Sequence, residues 1–346
     1  MYKKFFMGIA AMAALTLVSC SSDDLNSLSD NSSKNEAISF DGYLGRSAVA
    51  VNGSRGSVLD NTTLPSKGFG VFGNYSSATD QTFGSNLFNN VKVTGTTSTG
   101  STGGTTWTYD PKKYWPTEGH IDFLAYAPHV DGKTLTGSSS IEFTVAKDVT
   151  KQEDLLWAKA VGQTKADNSG ANKVKFTFNH ALAKIGYSLK EKEAYDKTTI
   201  TVTSIKLVGS DNKGAFYTKG TIDLSKENNN ENLWTKDETV EKQNFDWLSS
   251  KTVLTTDVAN SNNYLFVIPQ NFPESATDKL SVVVEYTVQT EGTEELKNKV
   301  TKTITANFLQ GKAYMINLII GLTPIEFDAT VEDWKDGATI PEIPLN

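Results

Sequence analysis

Side-chain alternation with a period of two recurs along most of this chain, and it restricts the fold to β-sheet. Ile38-Ser39-Phe40-Asp41-Gly42-Tyr43-Leu44 alternates strictly, as do Ile121 to Tyr126, Lys173 to Phe178 and Val300 to Phe308. Thr199 to Val208, Tyr264 to Ile268 and Leu280 to Val288 are β-branched and aromatic runs. Successive residues of a strand point to opposite faces, so each run presents an apolar face that another layer must cover. Asp131-Gly132, Asp211-Asn212-Lys213-Gly214 and Glu291-Gly292 are turn signals between runs. Helical periodicity is scarce, and Lys151 to Ala160 is the best stretch for a short helical turn. Many short strands joined by polar connections predict an all-β protein built from antiparallel β-sandwiches.

The first 36 residues do not fit that pattern. Lys3 and Lys4 precede an apolar run from Phe5 to Val18, too short to span a bilayer as a mature helix. Residues 1–19 are therefore expected to be a signal peptide. The run ends in Leu17-Val18-Ser19-Cys20, which resembles the lipobox of bacterial lipoproteins. That resemblance implies cleavage before Cys20 and acylation of its thiol (palmitate) and its new amine, with outer-membrane anchoring rather than insertion. The plainer alternative is a secreted protein carrying a free thiol. Residues 20–36 are almost entirely Ser, Asp and Asn, a composition expected to form a disordered lipidated tether. Asp23-Asp24 resembles a short acidic export signal of Gram-negative surface lipoproteins, although a solvated spacer has the same composition.

About 327 residues remain after the signal, enough for two domains of ordinary size. Loss of Lys3 and Lys4 takes the formal charge from −7 to −9, which excludes nucleic acid as a partner. Cys20 is the only cysteine, so no intrachain disulfide supports the fold. Thr94 to Thr106 consists of Thr, Ser and Gly and predicts a flexible loop or hairpin tip. The polar segment Ala166 to Asn172 lies near the midpoint, giving an N-terminal domain at 37–170 and a C-terminal domain at 171–346.

No arrangement for catalysis stands out, and the chain is expected not to be an enzyme and to need no cofactor. His120, His129 and His180 lack metal-ligand spacing, and His180 continues the alternation of a strand, as a packed histidine would. There is no nucleophile elbow, P-loop or dinucleotide fingerprint.

Several motifs occur together in one order. Tyr114-Trp115-Pro116 is followed by Ile121-Asp-Phe123-Leu-Ala125-Tyr126-Ala-Pro128. Gln152-Glu-Asp154-Leu155-Leu156-Trp157-Ala158 and Phe178-Asn-His180-Ala181-Leu182-Ala183-Lys184-Ile185 come next. Ile268-Pro269-Gln270, Gly311-Lys-Ala313-Tyr314, Ile325-Glu-Phe327 and Asp333-Trp334 complete the series. Together they resemble the fimbrillin family of surface pilus subunits. The resemblance implies two tandem transthyretin-like β-sandwich domains and a lipoprotein precursor that becomes a subunit of a type V pilus. Each motif residue also has a structural role: the aromatics fill cores, Pro116, Pro128 and Pro269 sit at strand ends, and Gly311 turns the chain into a strand from Lys312 to Ile320.

In such pili an arginine-specific protease removes the tether and first strand, and a segment of the next subunit fills the groove left open. Arg46 and Arg55 fit that scheme: they are the only arginines, the other 31 basic residues being lysines, and both lie in Gly/Ser-flanked sequence just behind the first strand. Ile38, Phe40 and Leu44 are the expected core-facing residues of the displaced strand. Ile325-Glu-Phe327-Asp328-Ala329-Thr-Val331 repeats their pattern, which makes Ile325, Phe327 and Val331 the expected donor residues. The expected partners are thus other pilus subunits, the outer membrane through lipid, and the Arg-specific protease. The alternatives are a monomeric surface lipoprotein that binds a glycan or host protein through Trp107, Tyr109 and the Thr/Ser/Gly loop, and an uncut anchor subunit.

Overall fold

The computed structural model describes residues 36–44, 58–98, 104–170, 172–210, 213–228, 230–248, 250–260, 264–322 and the backbone of 326–333. The strands of the first half are β1 (Phe40–Leu44), β2 (Phe69–Ser76), β3 (Phe88–Thr97), β4 (Thr105–Thr108), β5 (His120–Ala127), β6 (Ser140–Thr144), β7 (Leu156–Gln163) and β8 (Val174–His180). Next come β9 (Ala183–Glu191), β10 (Thr198–Gly209), β11 (Lys219–Asp223), β12 (Trp234–Lys236), β13 (Phe245–Asp246), β14 (Thr252–Val253), β15 (Ala259–Asn260) and β16 (Leu265–Val267). The chain closes with β17 (Gln270–Phe272), β18 (Leu280–Thr290), β19 (Leu296–Ile304), β20 (Ala306–Phe308), β21 (Lys312–Ile320) and β22 (Glu326–Asp333). A single helical turn, α1 (Leu64–Lys67), precedes β2. The expected helical turn at Lys151 to Ala160 is instead a 3-10 turn at Val149–Lys151 followed by β7.

Seven strands form one sheet in the order β1-β8-β7-β5-β2-β3-β4. Its ends approach each other: β1 contacts β4, and Ala37 bridges Tyr114. The sheet therefore rolls around an interior filled by alternate residues, among them Phe69 and Val71 of β2, Phe123 and Ala125 of β5, and Phe176 and Phe178 of β8. The remaining strands form a sheet β13-β10-β18-β19 with β14 on β10, a sheet β15-β9-β21-β22 with β16 on β9, a β12-β11-β6 sheet and a β17-β20 pair. Of the Thr/Ser/Gly segment, Thr94 to Thr97 and Thr105 to Thr106 lie on the paired strands β3 and β4, and residues 99–103 lie outside the described residues. Gly311 at φ 63° turns the chain into β21.

One feature departs from the antiparallel arrangement expected from the sequence. The pairings β1–β8 and β9–β21 are parallel within otherwise antiparallel sheets. Parallel partners need a long crossover, and in each case a large part of the chain lies between the two strands. β8, which follows the polar segment at 166–172, remains hydrogen-bonded to β1 and β7 in the first sheet. The chain changes sheet at Ala181-Leu182. The turn at 166–170 is only a connection between β7 and β8, whose pairing is set by the apolar face of β8.

The two halves share a core. Phe72, Leu124, Tyr126 and Trp157 lie on the outer face of the rolled sheet, in one cluster with Ile185, Ile200, Phe216 and Phe266. β6 leaves the first half to pair with β11.

Candidate functional site

The site is the groove filled by β1. Ile38, Phe40 and Leu44 face the interior of the rolled sheet and are nearly inaccessible, whereas Tyr43 faces outward and is 44% exposed. The backbone runs in parallel register with β8, from Phe40 opposite Val174 to Leu44 opposite Phe178. Phe40 occupies an aromatic socket: its ring centroid lies 5.4 Å from Tyr109, 5.5 Å from Phe88 and from Phe123, and 5.7 Å from Phe176. Edge-to-face and offset geometries of this kind add to simple burial. Gly42 faces the same interior between the rings of Phe69 and Phe178.

Side chains and loop backbone hold both ends of the strand. The Ile38 amide donates to the Lys113 carbonyl at 2.9 Å, and the Trp115 amide donates to the Glu36 carbonyl at 3.0 Å. The Tyr109 hydroxyl donates to the Ile38 carbonyl at 2.8 Å. Burial raises the pKa of that hydroxyl, which keeps it neutral and a donor. At the other end the Leu44 amide donates to Asn61 Oδ1 at 2.8 Å. Asn61 belongs to a turn in which Asp60 Oδ1 accepts from the Thr62 and Thr63 amides and hydroxyls, and these bonds hold the Asp60 pKa low against the opposing effect of burial. The chain thus leaves β1 at Leu44 and is next described at Val58, close to where it left.

Of the residues singled out in the sequence, Ile38, Phe40 and Leu44 converge in this groove. Cys20, Arg46, Arg55 and Ile325 lie outside the described residues, as does Trp334. Phe327 and Val331 are on β22, the end strand of its sheet, opposite Leu318 and Tyr314 of β21. Trp107 and Tyr109 do not form the exposed patch that the alternative reading, a monomeric binder, calls for. Both are buried beneath β1, with the Trp107 ring 5.0 Å from Phe69, because β4 is the strand on which the rolled sheet closes. Sequence reasoning missed the groove wall of Phe69, Phe88, Phe176 and Phe178. The alternation of Phe176 and Phe178 was visible, but which strands would enclose β1 was not. It also missed Asn61, for which no sequence signal stood out.

The family-type motifs meet at the joint between the halves. Asp154 and His180 are both buried, with Oδ2 and Nδ1 2.8 Å apart. The same Asp154 oxygen accepts the Leu59 amide at 3.2 Å. Gln152 Oε1 accepts the Phe266 amide at 2.7 Å, and the Trp234 indole donates to the Ala181 carbonyl at 2.8 Å. The Gly311 amide donates to the Leu182 carbonyl at 3.0 Å. These contacts fix the chain where it changes sheet. Among the described residues no group of three or more His, Cys, Asp or Glu side chains could hold a metal ion.

A fimbrial protein from Bacteroides vulgatus shares 21% identity and a TM-score of 0.66 with this chain, over 86% of it and 99% of the other. That likeness shows a common fold. A candidate cell adhesion protein from Bacteroides uniformis (19% identity, TM-score 0.46, 88% and 99% covered) is also similar. So is the C-terminally truncated tip fimbrial protein Mfa3 from Porphyromonas gingivalis (11%, 0.35, 77% and 100%), although scores this low carry no argument. No curated protein matches the chain. The fimbrillin-like family model matches residues 57–334, which takes in the rolled sheet from β2 onward, the joint and the four remaining sheets. This chain belongs to the fimbrillin-like family.

Proposed function

We propose that this chain is a structural subunit of a cell-surface pilus that mediates adhesion. In this reading it is made as an outer-membrane lipoprotein acylated at Cys20. It polymerises by strand exchange after cleavage at Arg46 or Arg55. The observation that carries the reading is β1 itself, a short parallel strand that fills an aromatic groove and directly precedes the segment holding both arginines. The family match begins at residue 57, just behind Arg55, so the part of the chain common to the family starts where the removable part would end.

β-Strand addition suits such a groove. Removing β1 leaves the backbone of β8 and the interior rings uncovered, and an incoming strand restores the ladder while its alternate side chains set the register. A donor running in the direction of β1 would place Ile325, Phe327 and Val331 where Ile38, Phe40 and Leu44 had been. Its own place on β22 is at a sheet edge, where leaving breaks one ladder, that with β21. Burial of three such side chains contributes roughly 5–8 kcal/mol before ordering costs.

The test is digestion with an Arg-specific protease, followed by sizing and mass spectrometry. A stable core beginning at Ser47 or Gly56 that forms oligomers supports the reading. Complete resistance shifts the assignment to an uncut anchor or a monomeric binder. Phe327→Asp separates donor from acceptor roles: the variant should remain a folded, cleavable monomer that accepts a wild-type strand and cannot donate its own. Polymerisation equal to wild type would remove residues 325–331 as the donor.

A further inference from the structure

We infer that the β1 groove selects its occupant by size at one point: the fifth residue of the inserted strand must be glycine or alanine. The functional consequence rests on the strand-exchange reading, but the filter itself rests on packing around Gly42. A methyl group at Gly42 would stand 3.0 Å from Phe69 Cε1 and 3.2 Å from Phe178 Cε2. Ordinary van der Waals contact is 3.4–4 Å, so both rings must give by a few tenths of an ångström to admit alanine. They have little room to do so. Phe69 is fully buried, with ring centroids of Trp107, Phe178 and Phe176 at 5.0, 5.3 and 5.7 Å, and Phe178 lies 6.1 Å from Phe176. A valine or leucine would push further carbons into those rings, and a core this dense does not yield cheaply.

The groove therefore reads an aliphatic residue, then a phenyl ring two positions on, then a residue no larger than alanine, then a second aliphatic. Ile38, Phe40, Gly42 and Leu44 satisfy all four points. Ile325, Phe327, Ala329 and Val331 satisfy them with one methyl at the tight point. Val174, Phe176 and Phe178 of β8 match the first two and fail at the third, where a phenyl ring would have to enter. The filter also ranks the two acceptable strands. The groove holds its own glycine strand more tightly than a neighbour's alanine strand, so an uncut subunit resists insertion and cleavage is required before assembly.

The test uses full-length protein nicked by an Arg-specific protease and fluorescent peptides spanning residues 36–46, read by anisotropy as they replace the endogenous strand. The Gly42→Ala peptide should bind about tenfold more weakly than the native one, and Gly42→Val and Gly42→Leu peptides more than about a hundredfold more weakly. Enlarging the groove with Phe178→Leu should recover most of the Gly42→Val loss. Equal binding of the glycine and valine peptides would overturn the filter. A second arm needs no cleavage: in the intact chain, Gly42→Val, Phe178→Leu and the double variant form a thermodynamic cycle in unfolding. The double variant should be more stable than the sum of the single losses allows, and strict additivity overturns the proposal. If the protease does not cut, or the native peptide does not bind, the strand-exchange reading fails while the cycle still decides the filter.

Discussion

Phe40→Ala probes the groove most directly. Phe40 is 1% exposed, its ring is in contact with four aromatic rings, and it belongs to a five-residue strand. Truncating a buried phenylalanine costs about 3–5 kcal/mol, the upper part of the range applying where the surroundings cannot collapse into the cavity. Collapse is restricted here, because Phe88, Tyr109, Phe123 and Phe176 are each packed against other rings. Since β1 has one long ladder partner among the described residues, β8, the loss should appear as local release of β1 rather than as global unfolding. Hydrogen exchange followed by mass spectrometry resolves this. Amides of Phe40 to Leu44 and of their β8 partners should exchange about 10²–10⁴ times faster than in wild type, and those of β10 and β18 at unchanged rates. Tyr43→Ala, on the outward face, should change exchange at β1 much less. A Phe40→Ala effect below about 1 kcal/mol, or an equal acceleration in both halves, would refute the assignment of β1 as a separately releasable strand held by its aromatic socket.

The remaining expectations concern anchoring, the joint and alkaline pH. Labelled fatty acid should enter wild-type protein and not Cys20→Ala, and equal incorporation in the two would sink the lipoprotein assignment. Asp154→Ala should destabilise the chain by about 3–5 kcal/mol in denaturant, because it leaves His180 and the Leu59 amide buried without their shared acceptor. A loss below about 1 kcal/mol would show that this pair does not hold the joint. Burial pushes the Tyr126 and Tyr187 hydroxyls up to about 12 from 10.0. Both hydroxyls ionise more readily in the unfolded chain, so the stability they contribute is full below pH 10 and is lost as pH rises through 12. Spectrophotometric titration should show these two among the last tyrosines to ionise, and Tyr126→Phe should flatten the loss between pH 10 and 12.

The sequence alone determined the class and the faces. The alternation of Ile38 to Leu44, Ile121 to Tyr126 and Lys173 to Phe178 required strands, because only a period of two gathers those apolar residues on one side. It also gave the inward set of β1 in full, and Gly311 as the turn into β21. Tertiary structure decided which surfaces meet. β5 shows why: Ile121, Phe123 and Ala125 face the rolled interior while Leu124 and Tyr126 face the joint, so both sides are buried although the strand alternates. A local period names the two faces of a strand and carries no information about what covers either one. The same limit left the surroundings of Trp107 and Tyr109 open, and they lie under β1 once the sheet closes. The polar turn at 166–170 is likewise visible locally, whereas the pairing of β8 with β1 joins segments from opposite ends of the first half. The closeness of Phe69 and Phe178 to Gly42 depends on β2 facing β1 and β8 across the rolled interior, so it exists only in the folded chain.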